Sequence, residues 1–357
     1  MKTMRILVVD DSAFNRRTLA ELLERIPDVE VVGRATDGDE ALRLVHELSP
    51  DLVTLDLEMP RMDGFTFLRL LMARRPTPVI VVSGYSTKEN VFRALELGAI
   101  DFVSKPTRTI TTDLNSIASE LAEKVAMVRQ LAPAGLTPAR RDWRSASGSF
   151  RTPDPRSLTT RRSPGRLLVV ASSTGGPTAL VELFRRFDSI GDVCIVVAQH
   201  MPARFTRTFA QRLDRLTALE TREAEGDEVL ASGQAFVCPG GHSIEVVRRG
   251  SKLMLALLPE PAEDRYLPSA DRLFRSAAKA MGNRVLGLVL TGMGDDGAEG
   301  AKAIAEAGGR VVAESPETAV IYGMPAAAVR AGAVERSLAL PALCEFAAEW
   351  ASPGSTK

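Results

Sequence analysis

Apolar and polar residues follow the same rhythm in two long stretches of the chain. Between residue 4 and about residue 128, short apolar runs alternate with segments whose apolar positions recur at helical spacing. The runs Arg5–Val9, Glu30–Gly33, Leu52–Leu55, Val79–Val82 and Asp101–Ser104 predict strands, and Phe14–Glu24 and Asp39–Leu48 predict helices between them. From Leu131 to Gly165 the rhythm stops, and Pro, Ser, Thr, Gly and Arg dominate. That composition predicts a flexible basic linker over 129–165. The rhythm resumes from 166 to about 350. Strands are expected at Leu167–Ala171, Val193–Ala198, Gln234–Cys238, Val285–Leu290 and Arg310–Ala313. Helices are expected at Thr178–Phe187, Phe205–Arg215, Ala270–Met281 and Ala298–Ala307. Ser243–Arg249 and Lys252–Leu257 flank Gly250-Ser251 and predict an antiparallel hairpin. Strand–helix alternation predicts parallel sheets with helices on both faces. The expected fold is therefore α/β: two doubly wound parallel-sheet domains, at 4–128 and 166–350, the second with an inserted hairpin.

Bulk properties narrow the picture. The chain has 357 residues, 45% of them hydrophobic, enough for two domains with cores of their own. Its formal net charge is +0, which gives no sign of nucleic acid as a partner. The linker carries Arg140, Arg141, Arg144, Arg151, Arg156, Arg161 and Arg162, but few aromatics are interleaved with them; Trp143 and Phe150 are isolated. No apolar run reaches the length of a membrane span, and Met4 to Val9 leads straight into a strand pattern without a signal peptide. Cys194, Cys238 and Cys344 are odd in number and far apart, which fits a reducing compartment and neither a disulfide framework nor a zinc spacing. A cytoplasmic protein without membrane insertion is expected.

In the first domain the chemistry collects at strand ends. Asp10 and Asp11 follow the first predicted strand and Asp56 the third. Carboxylates converging on one sheet edge repel one another unless a hard cation sits among them, and Mg²⁺ suits a site of few carboxylates, waters and phosphate oxygens. Ser83 ends the fourth strand and can donate to a phosphoryl oxygen; Lys105 ends the fifth and supplies a point charge. Pro106 is a candidate for a cis bond that aims Lys105 inward. Together with the run Met-Pro-Arg-Met-Asp-Gly at 59–64, this set resembles a two-component receiver domain. The resemblance implies a flavodoxin-like sheet, and Asp56 as acceptor of a phosphoryl group from a histidine kinase. It further implies Mg²⁺ held by Asp10 or Asp11, Asp56 and the backbone carbonyl of Glu58, and Phe102 as an aromatic switch position.

The second domain places Ser172-Ser173, His200 and Asp295-Asp296 at the ends of three different predicted strands. A serine hydroxyl becomes a nucleophile when a base takes its proton, and the base needs an orienting group. Gly175 and Gly176 favour Ser173 as the exposed serine of a strand-to-helix turn, with Ser172 deeper. Of the three histidines, His46 lies on a helix of the first domain and His242 enters the hairpin, whereas His200 caps an apolar strand. Asp296 precedes Gly297 and is preferred, with Asp295 as the alternative. Glycines around Met293 free its N–H to stabilise an oxyanion. A dinucleotide site is disfavoured, because the spaced glycine fingerprint and the acidic residue that would hold a ribose are both missing.

Five runs carry a second resemblance: Ala171-Ser172-Ser173-Thr174-Gly175-Gly176, Gln199-His200-Met201-Pro202, Pro268-Ser269-Ala270-Asp271, Leu290-Thr291-Gly292-Met293-Gly294 and Tyr322-Gly323-Met324-Pro325. They are similar to the catalytic domain of the chemotaxis protein-glutamate methylesterases. The resemblance implies a Rossmann-like hydrolytic domain with Ser173 as nucleophile, His200 as base, Asp296 as its orienter, and Thr174 and Met293 on the oxyanion side. It implies no cofactor for ester hydrolysis. It implies methyl-accepting chemoreceptor helices as substrate, deamidation of receptor glutamines as a second activity, and a receiver that restrains the esterase until phosphorylated. Arg204 and Arg207 are candidates to meet acidic receptor helices. Ser172 stands where that family has alanine, and Asp295 where it often has asparagine; an extra carboxylate there is expected to act on His200. The alternative reading is a response regulator whose output domain is a non-catalytic binding module.

Overall fold

The computed structural model describes residues 2–83, 88–105, 111–129, 131, 162–187, 191–258 and 264–352, with only the backbone of Ser83, Lys88, Ser104 and 111–116. Pro106 and nearly all of the expected linker, with Trp143 and Phe150, lie outside the described residues. The chain divides into two compact units near residue 140.

The first unit runs β1 (Met4–Val9), α1 (Ala13–Leu23), β2 (Val29–Ala35), α2 (Gly38–Leu48), β3 (Leu52–Leu55), α3 (Gly64–Arg74), β4 (Val79–Ser83), α4 (Lys88–Glu96), β5 (Asp101–Ser104) and α5 (Thr111–Val128). Its strands pair in parallel in the order β2-β1-β3-β4-β5. The side chains of β3 are buried on both faces, which is why its sequence reads as one apolar run. Strand β2 is an edge strand, half exposed, and extends past the apolar run Glu30–Gly33 at both ends. The helices that follow β1, β2 and β3 begin at side-chain caps: Ser12 accepts from the Asn15 N–H, Asp37 from Glu40 and Asp63 from Thr66. These caps fix the loops at the carboxyl edge of the sheet.

The second unit runs β6 (Arg166–Ser172), α6 (Gly176–Phe184), β7 (Val193–Gln199), α7 (Ala203–Asp214), β8 (Glu220–Glu223), β9 (Gln234–Val237), β10 (Ile244–Arg249), β11 (Lys252–Leu257), α8 (Ala270–Met281), β12 (Val285–Val289), α9 (Ala298–Glu306), β13 (Arg310–Glu314), α10 (Met324–Arg330), β14 (Arg336–Leu338) and α11 (Leu340–Ala351). The main sheet is parallel throughout, in the order β14-β13-β12-β6-β7-β9-β8. Strands β10 and β11 form the separate antiparallel hairpin, turning at Gly250 with φ +61°. The edge strands β8 and β14 carry no apolar run and are not anticipated from the residues; nor is α10, whose seven residues are too short for a helical period to show. The core is continuous from the sheet residues Val169, Val196 and Phe236 to Phe274 and Leu273 of α8 and to Val246 of the hairpin. The hairpin is tied to α8 by the Val246 N–H, which donates to Ser276 Oγ at 2.9 Å.

Each sheet has a switch point in its strand order. In the first unit this lies between β1 and β3, in the second between β6 and β12. At such a switch point successive loops leave in opposite directions and open a crevice beyond the carboxyl ends of the strands, where open α/β sheets bind ligands. Asp10 and Asp56 border the first crevice. Ser173 and Thr291 border the second.

Candidate active site and phosphoacceptor pocket

The first crevice holds buried charge. Asp10 and Asp56 are almost wholly buried, and Lys105 follows β5. Lys105 Nζ donates to Asp56 Oδ2 and lies 3.1 Å from Asp10 Oδ2. Asp10 Oδ1 accepts from the Ser12 N–H at 2.8 Å, and Asp56 Oδ1 from the Glu58 N–H at 3.3 Å. Burial pushes Asp56 up to about 6; Lys105 opposes the shift, while Asp10 adds to it. Burial also disfavours the Lys105 ammonium, but Asp56 and Asp10 outweigh it and its pKa is raised.

Asp10, Asp11 and Asp56 each turn a carboxylate oxygen to one place, all within 4.8 Å of one another. Asp10 Oδ2 is buried and, apart from the Lys105 ammonium 3.1 Å away, has no polar partner among the described residues. An all-oxygen set with one exposed member fits a hard, partly hydrated divalent cation such as Mg²⁺. Phe102 is buried in β5, with its ring edge-on to Phe92 at 6.4 Å. The side chain of Ser83 lies outside the described residues. Arg61 was not singled out from the residues. It has φ +62°, and its Nε donates to buried Asp37 at 2.8 Å, tying the loop after Asp56 to the loop after β2.

In the second crevice, β6 ends at Ser172 and the chain turns sharply. Gly175 has φ +76°, and a Cβ there would lie 2.8 Å from Val320, so the turn requires glycine. Helix α6 starts at once, with Pro177 in its first turn, where a missing N–H costs nothing. Ser172 and Gln199 are register partners on β6 and β7, so Ser173 and His200 leave neighbouring strands side by side. The His200 N–H donates to the Ser172 carbonyl at 3.0 Å. Ser173 is held from the other side, where its N–H donates to the Thr291 carbonyl at 3.0 Å. Thr291 Oγ1 in turn donates to the Thr174 carbonyl at 2.9 Å, and the Thr291 N–H donates to buried Glu314 at 2.8 Å.

His200 Nε2 lies 2.8 Å from Asp296 Oδ2. Asp296 is buried and accepts from the N–H groups of Ala270 at 2.7 Å and Asp271 at 2.9 Å, with Ser269 Oγ at 3.4 Å. These are the first orphan donors of α8, so the helix N-terminus both binds the carboxylate and favours its charge. Asp295 does not face His200. It is exposed, accepting from Tyr266 Oη at 3.0 Å, with an Arg265 guanidinium nitrogen 3.5 Å away. The Tyr266 ring stacks on the His200 imidazole, centroids 5.1 Å apart and planes 4° from parallel. The expected action of Asp295 on His200 is therefore replaced by an indirect link through Tyr266.

Gly292 packs on Ser173, and a Cβ there would lie 2.8 Å from Ser173 Cβ. The Met293 N–H donates no hydrogen bond to the backbone of the described residues. The structure thus brings Ser173, Thr174, His200, Met293 and Asp296 to one crevice. It does not show a hydrogen bond between Ser173 and His200. Away from the crevice, His46 is exposed on α2, and Arg207 pairs with Glu223 at 3.1 Å. Sequence reasoning missed Tyr266, the helix cap around Asp296 and the role of Gln199, whose Nε2 donates to the carbonyls of both Ser173 and His200 at 2.9 Å. The run Pro268-Ser269-Ala270-Asp271 carries the N-cap pattern of Ser269, which is the signal in the residues for its role.

Comparison with known proteins agrees with this geometry. Residues 168–346 match the family model of the CheB methylesterase, and residues 6–114 that of the response regulator receiver domain. The chain is 47% identical to the protein-glutamate methylesterase/protein-glutamine glutaminase 3 of Geobacter sulfurreducens, over 95% of each chain. It is 46% identical to the corresponding protein 1 of Myxococcus xanthus, over 96% of each. The crystal structure of the Thermotoga maritima CheB methylesterase catalytic domain is similar at 32% identity and a TM-score of 0.50, covering 52% of this chain and 98% of that one. A receiver unit followed by an esterase unit, each with its polar residues at the switch point of a parallel sheet, places this chain in the CheB family of protein-glutamate methylesterases/protein-glutamine glutaminases.

Proposed function

We propose that the chain removes methyl esters from glutamate side chains on the cytoplasmic helices of chemoreceptors, deamidates glutamines there, and is switched on by phosphorylation of Asp56. The reading divides the chain into a receiver at 4–128, a linker at 129–165 and an esterase at 166–350, acting in the cytoplasm. No described helix is long and apolar enough to cross a membrane. The observation that carries the catalytic assignment is the 2.8 Å contact of His200 Nε2 with Asp296, beside the turn that presents Ser173.

With Nε2 engaged by Asp296, His200 Nδ1 is the nitrogen left to exchange protons. Ser173 Oγ attacks the ester carbonyl carbon and passes its proton to His200. In free enzymes the nucleophile–base hydrogen bond is often long and tightens in the complex, in keeping with the open Ser173 in the structure. The oxyanion of the tetrahedral intermediate faces the N–H groups of Met293 and Thr174. Its collapse breaks the C–O bond, and His200 protonates the departing methanol. A water, deprotonated by His200, then attacks the acyl-serine, and Ser173 leaves with the proton while the substrate carboxylate is freed. For a glutamine substrate the leaving group is ammonia.

In the receiver, Asp56 accepts a phosphoryl group from a histidine kinase. Asp10, Asp11, Asp56 and the Glu58 carbonyl would hold Mg²⁺, whose charge offsets that of the phosphoryl oxygens. Lys105 and Ser83 bind those oxygens, and Phe102 shifts rotamer in response. Methanol release from methylated receptor, with and without acetyl phosphate, tests the whole reading. Ser173→Ala is expected to abolish release. Asp56→Ala is expected to remove the stimulation while basal release survives. Full activity of Ser173→Ala would sink the triad, and stimulation of Asp56→Ala would sink the phosphoacceptor.

A further inference from the structure

Between α8, α9 and α10 lies a groove of about 770 Å³ that reaches Asp296 and Tyr266. Small side chains, Ala298 and Ala327, line it, so its character is set by the polar residues around them. On α8 these are Arg272, Arg275 and Lys279, spaced to form a stripe on one face of the helix. The Ala270 N–H is bonded to Asp296, and Lys279 is nine residues further on. That places Lys279 about 14 Å along the helix axis from Asp296.

Charge is distributed unevenly along the groove. Near Asp296 the cations are matched: Arg265 lies 3.5 Å from Asp295, and Arg272 lies 2.5 Å from Asp264 and 3.8 Å from Glu245. Further along α8 from Asp296 stand Arg275 and Lys279, and Lys302 of α9 and Arg330 of α10 line the same groove. The remaining carboxylates of the groove are already engaged. Asp271 accepts from the Gly300 N–H at 2.6 Å and lies 3.6 Å from Arg275, and Glu299 pairs with Lys302 at 2.9 Å. Lys279 and Arg330 are exposed and form no ion pair with the described residues. Ester hydrolysis at Ser173 has no use for cations this far away.

We infer that the groove beside Lys279 and Arg330 is an exosite for carboxylates, and that it takes an acidic stretch of the same polypeptide that presents the esterified glutamate. The inference rests on the esterase reading above. A methyl ester is neutral, so the reacting group itself offers the enzyme no charge to steer by. A span of about 14 Å is covered by roughly four residues of extended chain or nine of helix. Acidic side chains at those separations from a residue beside Asp296 therefore reach Lys279, in the groove that Arg330 also lines.

Two synthetic peptides test the inference, each with one glutamyl γ-methyl ester, flanked by glutamates in one and by glutamines in the other. Binding is measured by fluorescence anisotropy on the full Ser173→Ala chain with acetyl phosphate and Mg²⁺, and methanol release on the chain with Ser173 intact. The acidic peptide is expected to bind about tenfold more tightly, with the advantage shrinking as salt is added. The double variant Lys279→Glu/Arg330→Glu is expected to erase that advantage. It should leave the glutamine peptide and the hydrolysis of p-nitrophenyl acetate unchanged. Equal binding of the two peptides, or an advantage that survives the double variant, overturns the exosite. Selective binding that the double variant abolishes, with no methanol released by the intact chain, keeps the exosite and removes the esterase reading instead.

Discussion

The Ser172 hydroxyl donates to Gln199 Oε1 at 2.7 Å, and both side chains are buried. The same amide uses its Nε2 to bridge the carbonyls of Ser173 and His200, so one side chain staples the residue beside each strand end to the other. Ser172 thereby fixes which way the amide faces. Gly176 makes room for it, since a Cβ there would lie 2.1 Å from Gln199 Oε1.

Ser172→Ala removes the donor and leaves a buried carbonyl oxygen unpaired, at a cost of about 1–3 kcal/mol. Gln199→Glu removes both bridging donors and points a carboxylate at two carbonyls, which is expected to be worse. Both variants should lower kcat more than they change KM, because they loosen the spacing of nucleophile and base rather than substrate contacts. Thermal denaturation with steady-state methanol release checks this. A stable Ser172→Ala enzyme with unchanged kcat would count against the staple.

Asp56 makes the receiver sensitive to pH. Its carboxyl is raised in the folded state from 3.8 to about 6, chiefly by burial. Between those values the folded chain holds a proton that the unfolded chain has released, so this group's contribution to stability falls as pH rises through the window. Asp56→Asn is therefore expected to gain stability relative to the parent above about pH 6 and to lose that advantage below about pH 4. Phosphorylation should run the other way. A protonated Asp56 is a poor nucleophile and a poor metal ligand, so labelling by acetyl phosphate is expected to decline as the solution is acidified. Urea titrations of the two chains from pH 4 to 8 measure the first effect, and the pH dependence of labelling the second.

Much of this architecture was legible in the residues, for identifiable reasons. Strand β3 and helix α8 read correctly because β3 is buried on both faces and α8 carries one apolar stripe behind the Ser269 cap. Strand β8, Glu-Thr-Arg-Glu, was illegible because it is an edge strand whose Arg222 lies over the Phe236 ring at 4.8 Å instead of contributing an apolar run. The crevice residues could be named from strand ends, with Asp296 preferred for its place before Gly297 and Asp295 kept as the alternative. What separates them is the N-terminus of α8, which begins 26 residues before Asp296 and meets it only in the folded chain. Tyr266 carried no signal because its role is a stacking contact with His200, and no spacing rule announces one.

That stacking contact has separable parts. Tyr266→Phe keeps the ring over His200 and loses only the hydroxyl on exposed Asp295, so turnover close to the parent is expected. Tyr266→Ala removes the ring. A stacked aromatic pair contributes about 0.5–1.5 kcal/mol beyond burial, which corresponds to a rate loss of up to roughly tenfold if the ring holds His200 in place. Steady-state kinetics on both variants checks the ordering, and an alanine variant as fast as the phenylalanine one would remove Tyr266 from the site.

Asp296 has two tasks, and substitutions can separate them. It orients His200 at 2.8 Å and satisfies two N–H groups of α8. Asp296→Ala loses both and leaves the helix uncapped in a buried place, with about 0.5–2 kcal/mol expected from the cap. Asp296→Asn keeps one carbonyl oxygen for the helix but loses the charge that stabilises the imidazolium and fixes the tautomer. In the Ser-His-Asp triad of a serine protease the same change lowers kcat by about 10⁴. The two N–H groups go to different oxygens, so asparagine leaves one of them unpaired; the asparagine variant is therefore expected to melt between the parent and the alanine variant and to be almost inactive. The alanine variant should be inactive and less stable. Melting curves beside methanol release distinguish the two effects: an asparagine variant that retains most of its turnover would leave Asp296 as a helix cap only.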